Sequence, residues 1–326
     1  MGQFIYRSTT WSILAILLLL ALAMNVSTLH TSILNLNTIF LSILIEALPF
    51  VLIGVLIAGF IQIFITEAHI QRWIPKNKAL SIIMGCVVGA LFPACECGIV
   101  PIVRRLMTKG VPLHAAMGFM LTGPLINPIV ILSTYMAFGN DLKIAGLRML
   151  LGFCIAVIVA LMIGVFFKGT QFKKEPFHPN HTHLTTNASF FAKLLHMLQH
   201  AIDEFFDMGK YLIIGAFLAA FVQTYISTKT LVSIGNDLPS SMLVMMGLAY
   251  ILSLCSEADA FIGASFSAMF PSPAILAFLI FGPMVDLKNT MMLLGVFRLK
   301  FVIWLVMLIA TVVYGSLLLL AHGGIL

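Results

Sequence analysis

Apolar residues run along most of the chain, and polar ones are confined to short interruptions. Trp11–Leu29 is one apolar helix, preceded by Arg7. Residues 30–37 read as a linker. A second run, Thr38–Ile65, is interrupted by Glu46 and Pro49. Its first part is expected to lie in the membrane interface and its second, from Phe50, to span. A basic loop with Arg72, Lys76 and Lys78 follows. The next run, Ala79–Val103, contains Pro93, Cys95, Glu96, Cys97, Gly98 and Pro101. Proline lacks an N–H and clashes with the preceding turn, so a helix is expected to break near Pro93 and Gly98. Arg104, Arg105 and Lys109 come next, and Pro112 opens a run to Phe138 that is broken over Thr122–Pro128. Residues 144–167 read as an uninterrupted span, and residues 168–188 are polar. Phe190–Asp207 places Phe191, Leu194, Leu195, Leu198, Ile202, Phe205 and Phe206 at helical spacing, the pattern of an interfacial amphipathic helix. Spans are expected at Lys210–Ile226, at Ser240–Ser256 with a broken continuation to Phe270, at Pro271–Val285 and at Met291–Leu320.

A spanning helix needs about 20 apolar residues, so the chain has room for about eight to ten membrane segments. Hydrophobic residues make up 61% of the 326 positions and charged ones 9%. The fold class is therefore an all-α polytopic membrane protein. The net charge of +6 is no signal for nucleic acid, because lysine and arginine fall in the loops, as cytoplasmic loops require. The five cysteines lie in apolar segments, so disulfide stapling is not expected. The first helix lacks a small-residue cleavage site and is expected to be retained.

The two halves of the chain resemble each other. Ile53–Gln62 matches Ile214–Gln223, at an offset of 161 residues from Gln62 to Gln223. Gly123-Pro124 and Asn127 match Gly282-Pro283 and Asp286, at an offset of 159 from Gly123 to Gly282. Between them, Cys95-Glu96-Cys97 falls opposite Cys255-Ser256-Glu257-Ala258-Asp259. We divide the chain into an N-terminal helix and linker (1–37), a first repeat (38–167), a loop (168–188) and a second repeat (189–326). If 79–103 enters and leaves on one side, all strong basic clusters become cytoplasmic. Each half then has three crossings and a re-entrant hairpin, and the repeats are inverted. If 79–103 crosses fully, Arg104 and Arg105 face outward and the repeats are parallel. The re-entrant arrangement fits the positive-inside rule better. It places the N-terminus and the 168–188 loop on the cytoplasmic side.

Ionisable groups inside a membrane are costly and usually functional. Cys95 and Cys97, with Glu96 between them, can converge on a soft ion only where the backbone is extended or kinked, because an ideal helix points them apart. Soft thiolates suit thiophilic metals, so a bound metal or metalloid is expected as substrate, not as a resident cofactor. The alternative is that both cysteines are packing residues. Cys255, Glu257 and Asp259 form a second patch, with Glu257 and Asp259 as candidates for ion coupling; the alternative is a solvated surface position. Unwound backbone at Gly123-Pro124 with Asn127, and at Gly282-Pro283 with Asp286, is expected to line the pathway. Glu46 and Asp207 occupy matching places and are read as marking helix ends at the interface. His178, His181 and His183 read as a solvated loop. No Walker loop, nucleophile elbow or dinucleotide fingerprint occurs, so neither an enzyme nor ATP hydrolysis on this chain is expected.

The stretch Phe92-Pro93-Ala94-Cys95-Glu96-Cys97-Gly98, followed by Thr122-Gly123-Pro124-Leu125-Ile126-Asn127-Pro128, resembles the bacterial predicted-permease family that includes the organoarsenical efflux permease. The likeness runs from about residue 38 to residue 320. It implies a permease, with Cys95 and Cys97 at the position where arsenical exporters contact their substrate. Other members look like subunits of a two-protein permease, which implies a second, smaller membrane protein as partner. The residues do not distinguish the two branches.

Overall fold

A computed structural model describes residues 2–92, 95–173, 190–225 and 237–323, with side chains described from residue 32 onward except at 68, 69, 71 and 190. The described part is almost wholly helical. In order, the helices are α1 (Gly2–Phe64), α2 (Glu67–Trp73), α3 (Lys78–Leu91), α4 (Glu96–Thr108), α5 (Leu113–Ile126), α6 (Pro128–Ala137) and α7 (Leu142–Phe166). The second half holds α8 (Phe190–Tyr225), α9 (Leu238–Leu252), α10 (Ser256–Ser265), α11 (Ser272–Met284), α12 (Leu287–Val296) and α13 (Leu299–His322). Among the described residues, six stretches are long and apolar enough to cross a membrane. They are Ser32–Phe64, Leu113–Ala137, Leu142–Phe166, Phe191–Tyr225, Ser272–Val296 and Leu299–His322.

Several expected boundaries move. Residues 30–37 and Pro49 do not interrupt α1, which is helical throughout. A proline removes one backbone bond, and neighbouring helices in a membrane bundle can compensate for it. The amphipathic stretch 190–207 and the span after it are one helix, α8, because nothing between Asp207 and Lys210 breaks it except a tolerated Gly209. The run 291–320 is not one span. It turns at Phe297 and Arg298, between α12 and α13. That turn is held by the chain after α7: Arg298 N donates to Gln171 O at 3.0 Å, and Lys173 N donates to Val296 O at 3.0 Å.

The helix breaks fall within the expected stretches, but several residues expected to break the helix lie inside it. Gly98 and Pro101 are inside α4, and the interruption precedes them, between Phe92 and Cys95. Pro93 is outside the described residues, as are His178, His181 and His183. Gly123-Pro124 forms the last turn of α5, and Gly282-Pro283 that of α11. The chain leaves the helix three residues later. Asn127, preceding Pro128, is extended at φ −66°, ψ 154°. The ring of a following proline disfavours helical backbone at the residue before it, while proline itself suits the first turn of the next helix. In the second half, Val285 and Asp286 are extended at the same place.

Helices α3 and α4 form a hairpin beside α5. Ser81 pairs with His114 at 3.1 Å, so α3 and α5 start level. Gly89 packs on Phe119 and Thr122, so they run parallel. Ile99 packs on Gly123, so α4 returns antiparallel. Residues 78 and 109 thus lie at one level, near the end of α1, where Lys109 Nζ donates to Gln62 O at 2.8 Å. The same design recurs in the second half. Ala249 and Asp259 both pack on Gly282, and Gly263 packs on Phe278 and Leu279, so α9 and α10 form a hairpin on α11.

Glycine allows the closest of these approaches. A Cβ at Gly54 in α1 would strike the carbonyl oxygen of Gly98 in α4. One at Gly98 would lie 2.6 Å from Phe50 O. The glycine expected to break the helix instead lets two helices touch through their backbones.

Candidate functional site

Four interruptions each start a new half-helix, with Cys95, Asn127, Cys255 and Asp286 as the flanking caps. A helix start exposes unpaired N–H groups and carries partial positive charge, which favours acids there. Glu96 opens α4, Glu257 and Asp259 lie in the first turn of α10, and Asp286 caps α12 by accepting from Asn289 N at 2.5 Å. Asn127 caps α6 in the equivalent way, accepting from Val130 N at 2.8 Å.

The decisive residue is Lys288, in the first turn of α12. It is 3% exposed, and it sits against the helix dipole in a nearly all-apolar bundle. Its Nζ donates to Glu96 Oε1 at 3.2 Å and to Ser253 O at 3.2 Å, and lies 3.8 Å from Asp286 Oδ2. Glu96 is 1% exposed and also accepts from Ser256 Oγ at 3.5 Å. The break in the first half is therefore joined to both breaks in the second by a buried ion pair. Ser253 is in the left-handed region at φ 47°. That conformation costs a non-glycine residue about 1–2 kcal/mol, and here it turns the carbonyl onto Lys288.

Cys95, on extended backbone, and Cys97, in the first turn of α4, are buried neighbours. Both lie in the field of Lys288. Among the described residues, no group of three or more His, Cys, Asp and Glu is arranged to hold a metal ion. Cys255 is half-buried and lies in the field of Glu46 of α1, so Glu46 neighbours the second break. Asp207, its counterpart, is outside this region and pairs with Lys210 at 3.1 Å.

A second charged group adjoins the first. Arg148, 1% exposed, lies within the run read as an uninterrupted span. It donates to Thr134 Oγ1 at 2.6 Å and to Ser256 O at 3.2 Å. Asp259 is fully buried and lies in the fields of Arg148, Lys288, Glu96 and Asp286. Neither of its carboxylate oxygens has a hydrogen-bond partner. A Cβ at Gly282 would come within 2.9 Å of Oδ2, so that glycine makes room for the carboxylate. Glu257 is half-buried and acts on Arg148. Of the expected site residues, Glu96, Cys95, Cys97, Asp259 and Asp286 come together. Asn127 is engaged in capping.

Sequence reasoning missed Lys288 and Arg148. Each is a lone cation in an apolar run. Lys288, two residues after Asp286 at a break, carried the clearer signal.

The fold and this centre define a class: a polytopic helical membrane protein whose buried charges meet where its helices are interrupted. Residues 32–319 match the family described as "Predicted permease", and the chain belongs to that family. It is 53% identical over 292 residues to UPF0718 protein YcgR of Bacillus subtilis, covering 89% of this chain and 99% of that one. It is 46% identical over 275 residues to a putative two-component membrane permease complex subunit of Streptococcus mutans, covering 84% of this chain and 91% of that one. No solved structure matches.

Proposed function

We propose that this permease moves a small thiophilic or metal-related solute by alternating access around the broken helices. The observation that carries the reading is the Lys288–Glu96 ion pair, which joins the interruption of one half to that of the other inside the bundle. Rocking of the halves has to break or remake it. Two inverted repeats would supply that motion. The inversion is supported by contact levels: α5 starts beside Gly164 near the end of α7, while α12 ends beside the segment that follows α7. The shared level carries Arg72, Lys76, Lys78 and Lys109, which is the composition of a cytoplasmic face.

In this reading, Cys95 and Cys97 contact the solute, with Cys255, Asn127 and Asp286 lining the path. Glu96 balances its charge, and Asp259, with Glu257 beside it, carries a coupling proton. Fully ionised, Glu96, Asp259 and Asp286 outnumber Lys288 and Arg148, so one proton or cation restores neutrality in the low-dielectric interior. An Asp259→Asn protein in proteoliposomes is expected to transport about tenfold more slowly or worse, the effect of 1.4 kcal/mol on a barrier, and to lose its pH dependence. Unchanged rate and pH profile would remove the coupling role. The solute class is tested by thiol labelling of Cys95 and Cys97 in a Cys86→Ala/Cys154→Ala/Cys255→Ala background. Protection by zinc or a trivalent organoarsenical supports a soft-ligand site, and labelling without protection refutes it.

A second reading is favoured by the S. mutans relative, named as a subunit of a two-component complex. Here the chain transports only with a second membrane protein. Tagged protein purified from its own membranes would then bring down one stoichiometric partner, and the chain alone would be inactive in proteoliposomes.

A further inference from the structure

An elongated groove lies away from the charged centre, between the end of α1, α2, and the starts of α3 and α5. Its volume is about 460 Å³, in the range of small-ligand pockets, about 300–1,000 Å³. Phe64, Trp73, Val88, Leu106, Ala115 and Phe119 are among the residues lining it. From Ser81 to Val88 it follows α3 inward for about two turns, roughly 10 Å. Its polar lining group, the Ser81 hydroxyl, is already used, donating to Lys78 O at 2.8 Å and pairing with His114 at 3.1 Å. Apart from the Trp73 indole at the outer end, no lining side chain is left to recognise a polar solute. Val88, 48% exposed, opens the groove sideways on the outer surface of α3.

The charge lies at one end only. Arg72 precedes Trp73, Lys76 lies two residues after Ile74 and Lys78 opens α3 three residues before Ser81, so three exposed cations flank the lining residues of that end. Trp73 is 77% exposed, as suits a side chain anchored at the membrane–water boundary. An apolar slot running inward from a basic rim matches a molecule with an anionic head and a hydrocarbon tail. We infer that this groove binds an anionic phospholipid, with one acyl chain along α3 and the phosphate at Arg72, Lys76 and Lys78. Basic pockets between membrane helices on the cytoplasmic side bind such headgroups. The inference is independent of the transported solute.

The test uses the full-length protein in detergent, titrated with phosphatidylglycerol or phosphatidylcholine and read by native mass spectrometry. The unsubstituted protein is expected to retain phosphatidylglycerol preferentially. Arg72→Gln, Lys76→Gln and Lys78→Gln together are expected to lower that preference by about fivefold for each charge, the factor equivalent to about 1 kcal/mol per basic residue near a membrane surface, without changing phosphatidylcholine retention. Val88→Trp is expected to fill the groove and abolish selective retention. Should that variant fold poorly, a Val88→Cys protein whose native Cys86, Cys95, Cys97, Cys154 and Cys255 are replaced by alanine, modified with a bulky maleimide after purification, blocks the groove in folded material. Equal retention of the two lipids by the unsubstituted protein would overturn the inference. So would selective retention that survives blocking of the groove.

Discussion

Lys288→Met is expected to destabilise the protein by about 3–5 kcal/mol, the usual consequence of removing one partner from a buried ion pair. Glu96 and Asp286 would be left in a bundle where each is 1% exposed. Ser253 would also lose the donor that holds its carbonyl in the left-handed turn. Thermal unfolding in detergent measures the loss. The double variant Glu96→Gln/Lys288→Met separates stability from function. It removes one of the two stranded charges while Asp286 keeps its bond from Asn289 N, so it should regain part of the lost stability. Transport should stay absent, because the link between the two halves is gone. A single variant as stable as the parent would show that the pair contributes little. A double variant that transported normally would show that the pair serves assembly and not movement.

Gly54→Val is expected to destabilise the protein by forcing α1 away from α4. Overpacking a core usually costs about 1–3 kcal/mol and occasionally more, and the larger costs arise when nothing can move aside. Here the obstacle is the backbone of Gly98, so no rotamer change relieves the clash. Helix α1 has to separate from α4, and the Glu96 end of α4 moves with it. Gly54→Ala and Gly98→Ala should show the same effect at smaller size. Gly209 in α8 is the internal control, since a Cβ there meets nothing within 4 Å. Gly209→Ala should be neutral or stabilising by about 0.5–1 kcal/mol, because glycine in a helix costs backbone entropy. Equal melting temperatures for Gly54→Val and Gly209→Ala would contradict the close packing of α1 on α4.

A further ionic contact holds the other end of α4. Arg104 and Arg105 both pair with the buried Glu204 of α8, and Arg104 also lies 3.9 Å from Asp207. Glu204→Ala is expected to destabilise by about 3–5 kcal/mol, because Arg105 is buried with it. Chemical denaturation in detergent would register that loss, and a change within about 0.5 kcal/mol, as for an ordinary surface site, would refute it. Helix α4 is thus tied to the second half of the chain at both ends. Its Arg-Arg sequence was read only for its membrane side, and the partner in α8 lies about a hundred residues away.

The sequence by itself determined the membrane class, the recurrence of the interruptions and most of the residues at the centre. Each of these is a local cost in an apolar chain: a proline, a glycine or an acid stands out wherever lipid is the default neighbour. The position of each break was less legible. The sequence marks Gly98, Gly123 and Gly282 as breaking points, yet they are packing contacts one turn or so away from the interruption. A glycine needed for close approach and one needed for a turn look alike until the neighbouring helix is present. Only the tertiary structure decided that Cys95 and Cys97 lie together, that Glu46 neighbours Cys255, and that Lys288 and Arg148 belong with the acids. The reason is physical. A buried charge is tolerable only with its partner, and the partners here come from residues 96 and 288, or 148 and 256, which nothing in the local sequence joins.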